Sequence, residues 1–311
     1  MPGSQRPATM TDIARRAGVS QATVSYVLNN VEKQSISEQT RRAVLDAAKA
    51  LDYRTNHNAR SLASGVSSTV VCVVPPVQLG EPILGLLGEL TLEFARRDFV
   101  LAVHFEQAGD ESLEAMKKAL RPMAVFPLLS PHGRVPSGAQ PGSSSEPGAR
   151  LQVTYLAERG HRRLAFAAPA VPSLTVQWAW RLSSAEGAAE ELGLPEMVSA
   201  EFLLDGSDAR DIIRRWHSSG VTAVCAHNDD VAFAVLRGIR ENGLRCPEDI
   251  AVIGYDATTL GATSDPPLTS IHWETHQVAS MLAAQILGAE VPGEKGIQDR
   301  YSVAVKKGES A

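Results

Sequence analysis

The 311-residue sequence predicts two parts: a small all-α head of helix-turn-helix type and a larger two-lobed α/β core built on parallel sheets. Three observations predict it. Residues 9–29 hold two short amphipathic runs joined at Gly18. From Thr69 onward short apolar runs alternate with helical stretches, the pattern of parallel strands covered on both faces. The charge is uneven in the same sense. Residues 1–65 carry nine of the thirty Lys and Arg and five of the thirty-five Asp and Glu, a balance of +4, which leaves −9 on the remainder.

The head is read first. Thr9 with Asp12 three residues on forms a capping box that opens a helix running to about Ala17. Gly18 takes the positive φ of a sharp helix end, and Ser20 caps the next helix. Val24, Val27 and Leu28 make a narrow apolar stripe facing Ile13 and Ala17. Gln21, Ala22, Ser25, Tyr26 and Asn29 lie off that stripe in neighbouring rows. Such a helix, set N-terminus first in the major groove of DNA, puts Gln21 and Ala22 on base edges and Tyr26 one turn deeper. Gln suits a bidentate bond to adenine, and Ala a thymine methyl. Spacing alone equally permits a helical hairpin that only packs on the rest of the chain. A third helix follows, capped by Ser37, with Val44, Ala48 and Leu51 inward and Arg41, Arg42 and Lys49 elsewhere. That helix and the basic balance favour a segment that meets phosphate.

The core is expected to place strands at 70–74, 99–105, 124–129, 164–168, 223–226 and 250–255. Helices are expected at 82–97, 112–120, 149–159, 180–192, 208–218 and 230–242. Sheets wound in this way bind ligands beyond the carboxyl ends of their strands. Residues 131–149 hold four Pro, four Gly and four Ser among nineteen and read as a flexible loop. No run of 18 apolar residues exists, so no membrane partner is expected. The first six residues lack the apolar stretch of an export signal. Cys72, Cys225 and Cys246 show no metal-like spacing, and the first two sit in apolar strand-like runs as buried thiols. These features predict a cytoplasmic protein. There is no Gly-rich phosphate loop, no Gly-x-Ser-x-Gly elbow and no acid–base pair in the adjacent Asp229 and Asp230. Neither an enzyme nor any catalytic residue, metal site or cofactor is expected.

Six short motifs in the head carry a resemblance: Asp12-Ile-Ala, Ala17-Gly-Val-Ser20, Thr23-Val-Ser25, Val27-Leu-Asn29, Thr40-Arg41 and Ala59-Arg-Ser-Leu62. Together they resemble the DNA-binding head of the LacI/GalR (lac repressor/galactose repressor) family. Gly160-His-Arg-Arg-Leu-Ala-Phe166, Asn228-Asp229, Pro247-Glu-Asp-Ile-Ala-Val-Ile-Gly-Tyr-Asp256 and Pro266-Pro-Leu-Thr-Ser-Ile271 resemble landmarks of that family's core, which it shares with periplasmic sugar-binding proteins. The resemblance implies a helix-turn-helix domain at 9–54, a hinge helix and linker at 55–66, and a periplasmic-binding-protein-like effector-binding and dimerisation domain at 67–311. It implies phosphate contacts by Thr9, Thr23, Ser25 and Asn29, which set register and carry little sequence information. It also implies a hinge helix around Asn58, Ala59, Arg60 and Leu62 that orders only on DNA. There Leu62 wedges into the minor groove and unstacks a base step at a cost of a few kcal/mol. Read without the resemblance, Leu62 is a core residue at a domain boundary.

For the core, the resemblance makes Arg181, Asn228, Asp229 and Asp256 the effector contacts. A carboxylate accepts from a polyol's hydroxyls, and a guanidinium donates in a planar fork. Trp178 and Trp180 flank Arg181 as stacking candidates. Asp229 reads equally as a helix cap, and Asp256 as a strand-ending turn. His161 reads as a turn residue, and His227 has no assigned role. The chain also departs from the family. Thr55 stands near a usual proline, Ile83 and Leu84 replace aromatics, Ser184 stands for glycine and Ala257 for a polar residue. Ser144 and Ser145 fall about where an Asp-Asn pair is usual, and the first lobe looks abridged. The expected function is a sequence-specific transcriptional regulator, read as a repressor. It binds a near-palindromic operator as a homodimer and answers to a sugar-like effector. The alternative is a DNA-binding regulator whose degenerate core no longer binds an effector.

Overall fold

Thr9 and Asp12 close the capping box at the start of the first helix: Thr9 N and Oγ1 donate to Asp12 Oδ2 (2.9 and 2.6 Å), and Asp12 N donates back to Thr9 Oγ1 (3.4 Å). The computed structural model describes residues 8–28, 36–51, 67–76, 80–128, 146–288 and 302–311, and the chain divides into two units, 1–66 and 67–311. The first unit holds α1 (Met10–Ala17), α2 (Gln21–Leu28) and α3 (Glu38–Ala50). Gly18 ends α1 with φ 68°, and Ser20 Oγ accepts from Thr23 N (3.0 Å) at the start of α2. Ser37 caps α3 through Thr40 N (3.1 Å). Ile13, Val24 and Val44 are fully buried, and Val27, Ala47 and Ala48 join them in one small core.

The second unit begins with β1 (Thr69–Val74), α4 (Glu81–Ala95), β2 (Val100–Phe105), α5 (Asp110–Leu120) and β3 (Ala124–Pro127). Among the described residues these make a first lobe around a three-stranded parallel sheet, ordered β2-β1-β3. The second lobe contains α6 (Pro147–Glu158), β4 (Leu164–Pro169), α7 (Thr175–Glu191), β5 (Val198–Phe202), α8 (Ala209–Ser218), β6 (Ala223–Ala226), α9 (Asp229–Glu241), β7 (Ala251–Tyr255), the short α10 (Thr259–Ala262) and β8 (Thr269–Trp273). The chain then returns to the first lobe as α11 (Thr275–Ile286), whose Ala279 and Ala283 are buried in the core of β1 and α4. It closes the second lobe with β9 (Val303–Lys306).

The second sheet runs β5-β4-β6-β7-β8-β9, parallel except for the antiparallel β8–β9 pair at its edge. The alternation of apolar runs and helices explains this architecture, because strands buried on both faces, such as β4 and β6, read as continuous apolar stretches.

Several expectations change. The helix expected from 149 starts at Pro147, because Glu146 caps it: Glu146 Oε1 accepts from Gly148 N (3.1 Å) and Oε2 from Ala149 N (2.6 Å). Residues 146–149 are therefore an ordered cap and first turn rather than loop. Strands β5, β8 and β9 and helices α10 and α11 were not expected from the pattern. Asn29, Thr55, Asn58, Ala59, Arg60 and Leu62, and the expected loop as far as Ser145, lie outside the described residues.

Candidate nucleic-acid interface and effector pocket

In the head, burial divides α2 into two faces. Val24 and Val27 point into the trihelical core, while Gln21, Ala22 and Tyr26 are exposed, Tyr26 at 37%. Three exposed side chains of graded size on a helix whose back is anchored match what a groove-reading helix needs. Thr23 and Ser25 are half-buried beside them. Thr9 and Thr23 already serve as capping partners. The Thr23 hydroxyl lies 2.8 Å from Ser20 Oγ, and the Thr9 hydroxyl donates to Asp12. Arg15, Arg16, Arg42 and Lys49 are exposed on α1 and α3.

In the core, the residues gather at the carboxyl ends of β6, β7 and β8. Arg181 on α7 lays its guanidinium over the Tyr255 ring, 3.7 Å from the centroid, and its Nη1 donates to His227 O (2.5 Å). The face of an aromatic ring attracts a cation, so Tyr255 fixes the plane of the guanidinium. Tyr255 is in turn fixed by its hydroxyl, which donates to Glu146 Oε1 (2.6 Å). Glu146 N donates to Ser184 Oγ (2.9 Å). Ser184, a departure from the family at the level of sequence, thus takes part in the support of Arg181. Gly148 lets Tyr255 approach: a Cβ there would lie 2.3 Å from the ring.

Asp256 follows β7 with φ 109°, and its Oδ1 accepts from Trp273 Nε1 (3.0 Å). Burial pushes its carboxyl up to about 7, opposed by Arg181 and by the Trp273 hydrogen bond. Asp229 is turned inward. Its Oδ1 accepts from Ser270 Oγ (2.6 Å), and its Oδ2 from Thr258 N (2.7 Å) and Thr258 Oγ1 (2.9 Å). At 1% exposure it braces the loop after β7, with its carboxyl raised by burial. The cap of α9 is Asn228, not Asp229: Asn228 Oδ1 accepts from Val231 N (3.0 Å). A cavity of about 90 Å³ touches Asp229, Thr258, Ser270 and Lys306, and it is far smaller than a pocket for a drug-sized ligand.

Pattern reading missed three groups. Gln152 is fully buried on α6, with Nε2 2.9 Å from both Ala226 O and Gly254 O, so it ties the ends of β6 and β7 together. Glu146 sat unnoticed in a Pro/Gly/Ser-rich stretch. His227 is 2% exposed, held neutral by burial and then by Arg181, and its Nδ1 has no partner among the described residues. Trp178 packs against the core of the second lobe rather than standing clear as a stacking platform. His161 sits at the α6–β4 turn, its Nδ1 3.1 Å from Thr222 Oγ1. Cys72 and Cys225 are buried thiols, and burial pushes Cys72 up to about 12. No group of metal-ligating side chains occurs among the described residues.

A groove-reading trihelical head followed by a two-lobed core of this topology defines a DNA-binding transcriptional regulator. Residues 9–56 match the family described as bacterial regulatory proteins, lacI family, and residues 153–310 match the periplasmic binding protein-like domain. The HTH-type transcriptional regulator CelR of Thermobifida fusca is 30% identical over 323 residues, covering 91% of this chain and 93% of that protein. The chain belongs to the LacI family. Among solved structures, the transcriptional regulator CelR–cellobiose complex is 25% identical with a TM-score of 0.61, covering 98% of this chain and 100% of that one. The lac repressor dimer bound to operator and the anti-inducer ONPF shares the fold, with a TM-score of 0.66 at 23% identity over 98% of this chain and 99% of its own.

Proposed function

We propose that the chain is a cytoplasmic repressor that binds a near-palindromic operator as a homodimer and releases or engages it in response to a small sugar-like metabolite, with no enzymatic activity of its own. The observation that carries the DNA half is the division of α2 into a buried Val24/Val27 face and an exposed Gln21/Ala22/Tyr26 face. Gln21, Ala22 and Tyr26 read bases. Thr9, Thr23, Ser25 and Asn29 meet phosphates, with Thr9 and Thr23 using hydroxyl oxygens already shared with their caps. Asn58, Ala59, Arg60 and Leu62 form the minor-groove hinge. Protein two-fold symmetry then dictates operator symmetry. Selection of random duplexes by the purified full chain tests this reading. A two-fold-related consensus is expected, and no enrichment over random competitor would refute it.

Arg181, Asn228 and Asp256 form the effector-contacting set, with Asp229 as a brace behind it and His227 as an additional polar wall. A polyol suits this set, since the Asp256 carboxyl accepts from hydroxyls and the Arg181 guanidinium donates to them. The CelR–cellobiose complex supports a sugar. The inward-turned Asp229 favours a second reading, in which the core only dimerises. A thermal-shift screen with sugars and nucleosides separates the two, because a ligand of the native state raises its stability by mass action. A flat response across the panel favours the ligand-free core.

A further inference from the structure

Trp273 ends β8 at the point where the chain leaves the second lobe. The next residue, Glu274, is the N-cap of α11, which is built into the first-lobe core. Among the described hydrophobic residues Trp273 is the one packed against the cores of both lobes. Its indole Nε1 donates to Asp256 Oδ1 at 3.0 Å. Asp256 and Ala257 hold φ of 109° and 51°, a backbone region that non-glycine residues occupy only when their neighbours impose it. The neighbours here are Ile271 O, which accepts from Asp256 N (2.8 Å), and Ser270 Oγ, which accepts from Ala257 N (3.0 Å). Three residues beyond Asp256, the start of α10 is held from the other lobe. Glu81 on α4 accepts from Thr259 N (2.9 Å) and Thr259 Oγ1 (3.0 Å).

We propose that Trp273 is a positioning residue whose indole N–H holds the Asp256 carboxyl in the orientation it offers to an effector, and whose seat between the two cores makes that orientation depend on lobe closure. The proposal rests on reading Asp256 as an effector contact. An indole offers one donor and no acceptor, and a large ring cannot turn without losing apolar burial. The direction of the N–H is therefore set by both lobes together. By linkage, a ligand that engages the carboxyl so oriented favours closure to the extent that closure favours that orientation.

Protons serve as the probe, because Asp256 titrates at about 7. The charged groups that face it are Arg181 from α7 and Asp229 and Asp230 from α9, with Trp273 as the donor from β8. Tryptophan emission of the full chain is followed across the neutral pH range for the wild type, Asp256→Asn, Trp273→Phe and Glu81→Ala. The wild type is expected to show one emission step at about pH 7, and Asp256→Asn and Trp273→Phe to show none. Glu81→Ala, which loosens the inter-lobe hold, is expected to hydrate Asp256 and lower the midpoint by about half a pH unit or more. A chain with Trp178→Phe and Trp180→Phe keeps the step, and it serves if Trp273→Phe melts early. A wild type without a step, a step that survives Trp273→Phe, or an unmoved midpoint in Glu81→Ala overturns the proposal. The underlying reading of Asp256 fails separately. It fails if Asp256→Asn loses the emission step yet keeps every thermal-shift response to the sugar and nucleoside panel.

Discussion

Asp256 binds a proton near pH 7 in the folded chain but only near its ordinary value of 3.8 when unfolded. Its contribution to stability is therefore fully present below the unfolded value and is lost as pH rises through about 7. Asp229, also raised by burial, acts in the same sense. Asparagine at 256 cannot ionise, so the Asp256→Asn chain should gain on the wild type as pH rises from about 5 to about 7. Paired calorimetric melts across that range check this, and parallel curves would count against a buried, raised carboxyl. Gly148 yields a second prediction at the same scale. A methyl at 148 would lie 2.3 Å from the Tyr255 ring, which also carries the Arg181 guanidinium and is held at its hydroxyl by Glu146. Gly148→Ala should cost about 1–3 kcal/mol through overpacking. It should weaken any ligand response more than its stability loss alone accounts for, because the displaced ring carries Arg181. Chemical denaturation together with the thermal-shift panel measures both effects.

At the scale of elements, α2 is where sequence and geometry agree most closely. The stripe of Val24 and Val27 is buried, and Gln21, Ala22 and Tyr26 face out. Replacing Gln21 or Tyr26 by Ala should relax base preference at one operator position by about 1–3 kcal/mol and leave the other positions unchanged. Competition binding with single-base variants of the selected duplex reads this out, and a uniform loss across all variants would reassign the residue to phosphate contact. The head was legible because capping residues, a glycine turn and helical spacing are local signals, confirmed here at Thr9, Gly18, Ser20 and Ser37. Strands β1, β4, β6 and β7 were legible because burial on both faces leaves continuous apolar runs. Strand β5 was not, because its Val198, Ser199 and Glu201 face solvent at a sheet edge. Strand β9 alternates half-buried and exposed residues over four positions, too short a run to stand out from loop. Arg181 and Asp256 could be named from sequence, but the buried polar groups that hold their surroundings could not. Glu146 and Gln152 act across 109 residues to Tyr255 and 74 residues to Ala226, and no local pattern announces such a partner.

At the scale of the whole molecule, the charge division makes DNA affinity a matter of how many heads bind. The remainder of the chain carries −9 against +4 on residues 1–65, so net attraction to phosphate belongs to the head. Arg15, Arg16, Arg42 and Lys49 are the exposed cations described there. With about one phosphate neutralised by each, a dimer releases counterions from about eight phosphates, and log affinity should fall against log salt with a slope of about −7. A single head would give about half that slope. Fluorescence anisotropy on the selected duplex across a salt series measures the slope directly, and the same series on a duplex carrying one half-site provides the comparison. A full site and a half-site with equal slopes would mean that one head binds at a time. Operator symmetry would then have no counterpart in the protein. A slope that halves on the half-site means that two heads occupy the full site together. In that arrangement a small ligand bound in the core alters affinity through its different preference for the DNA-competent and DNA-incompetent states.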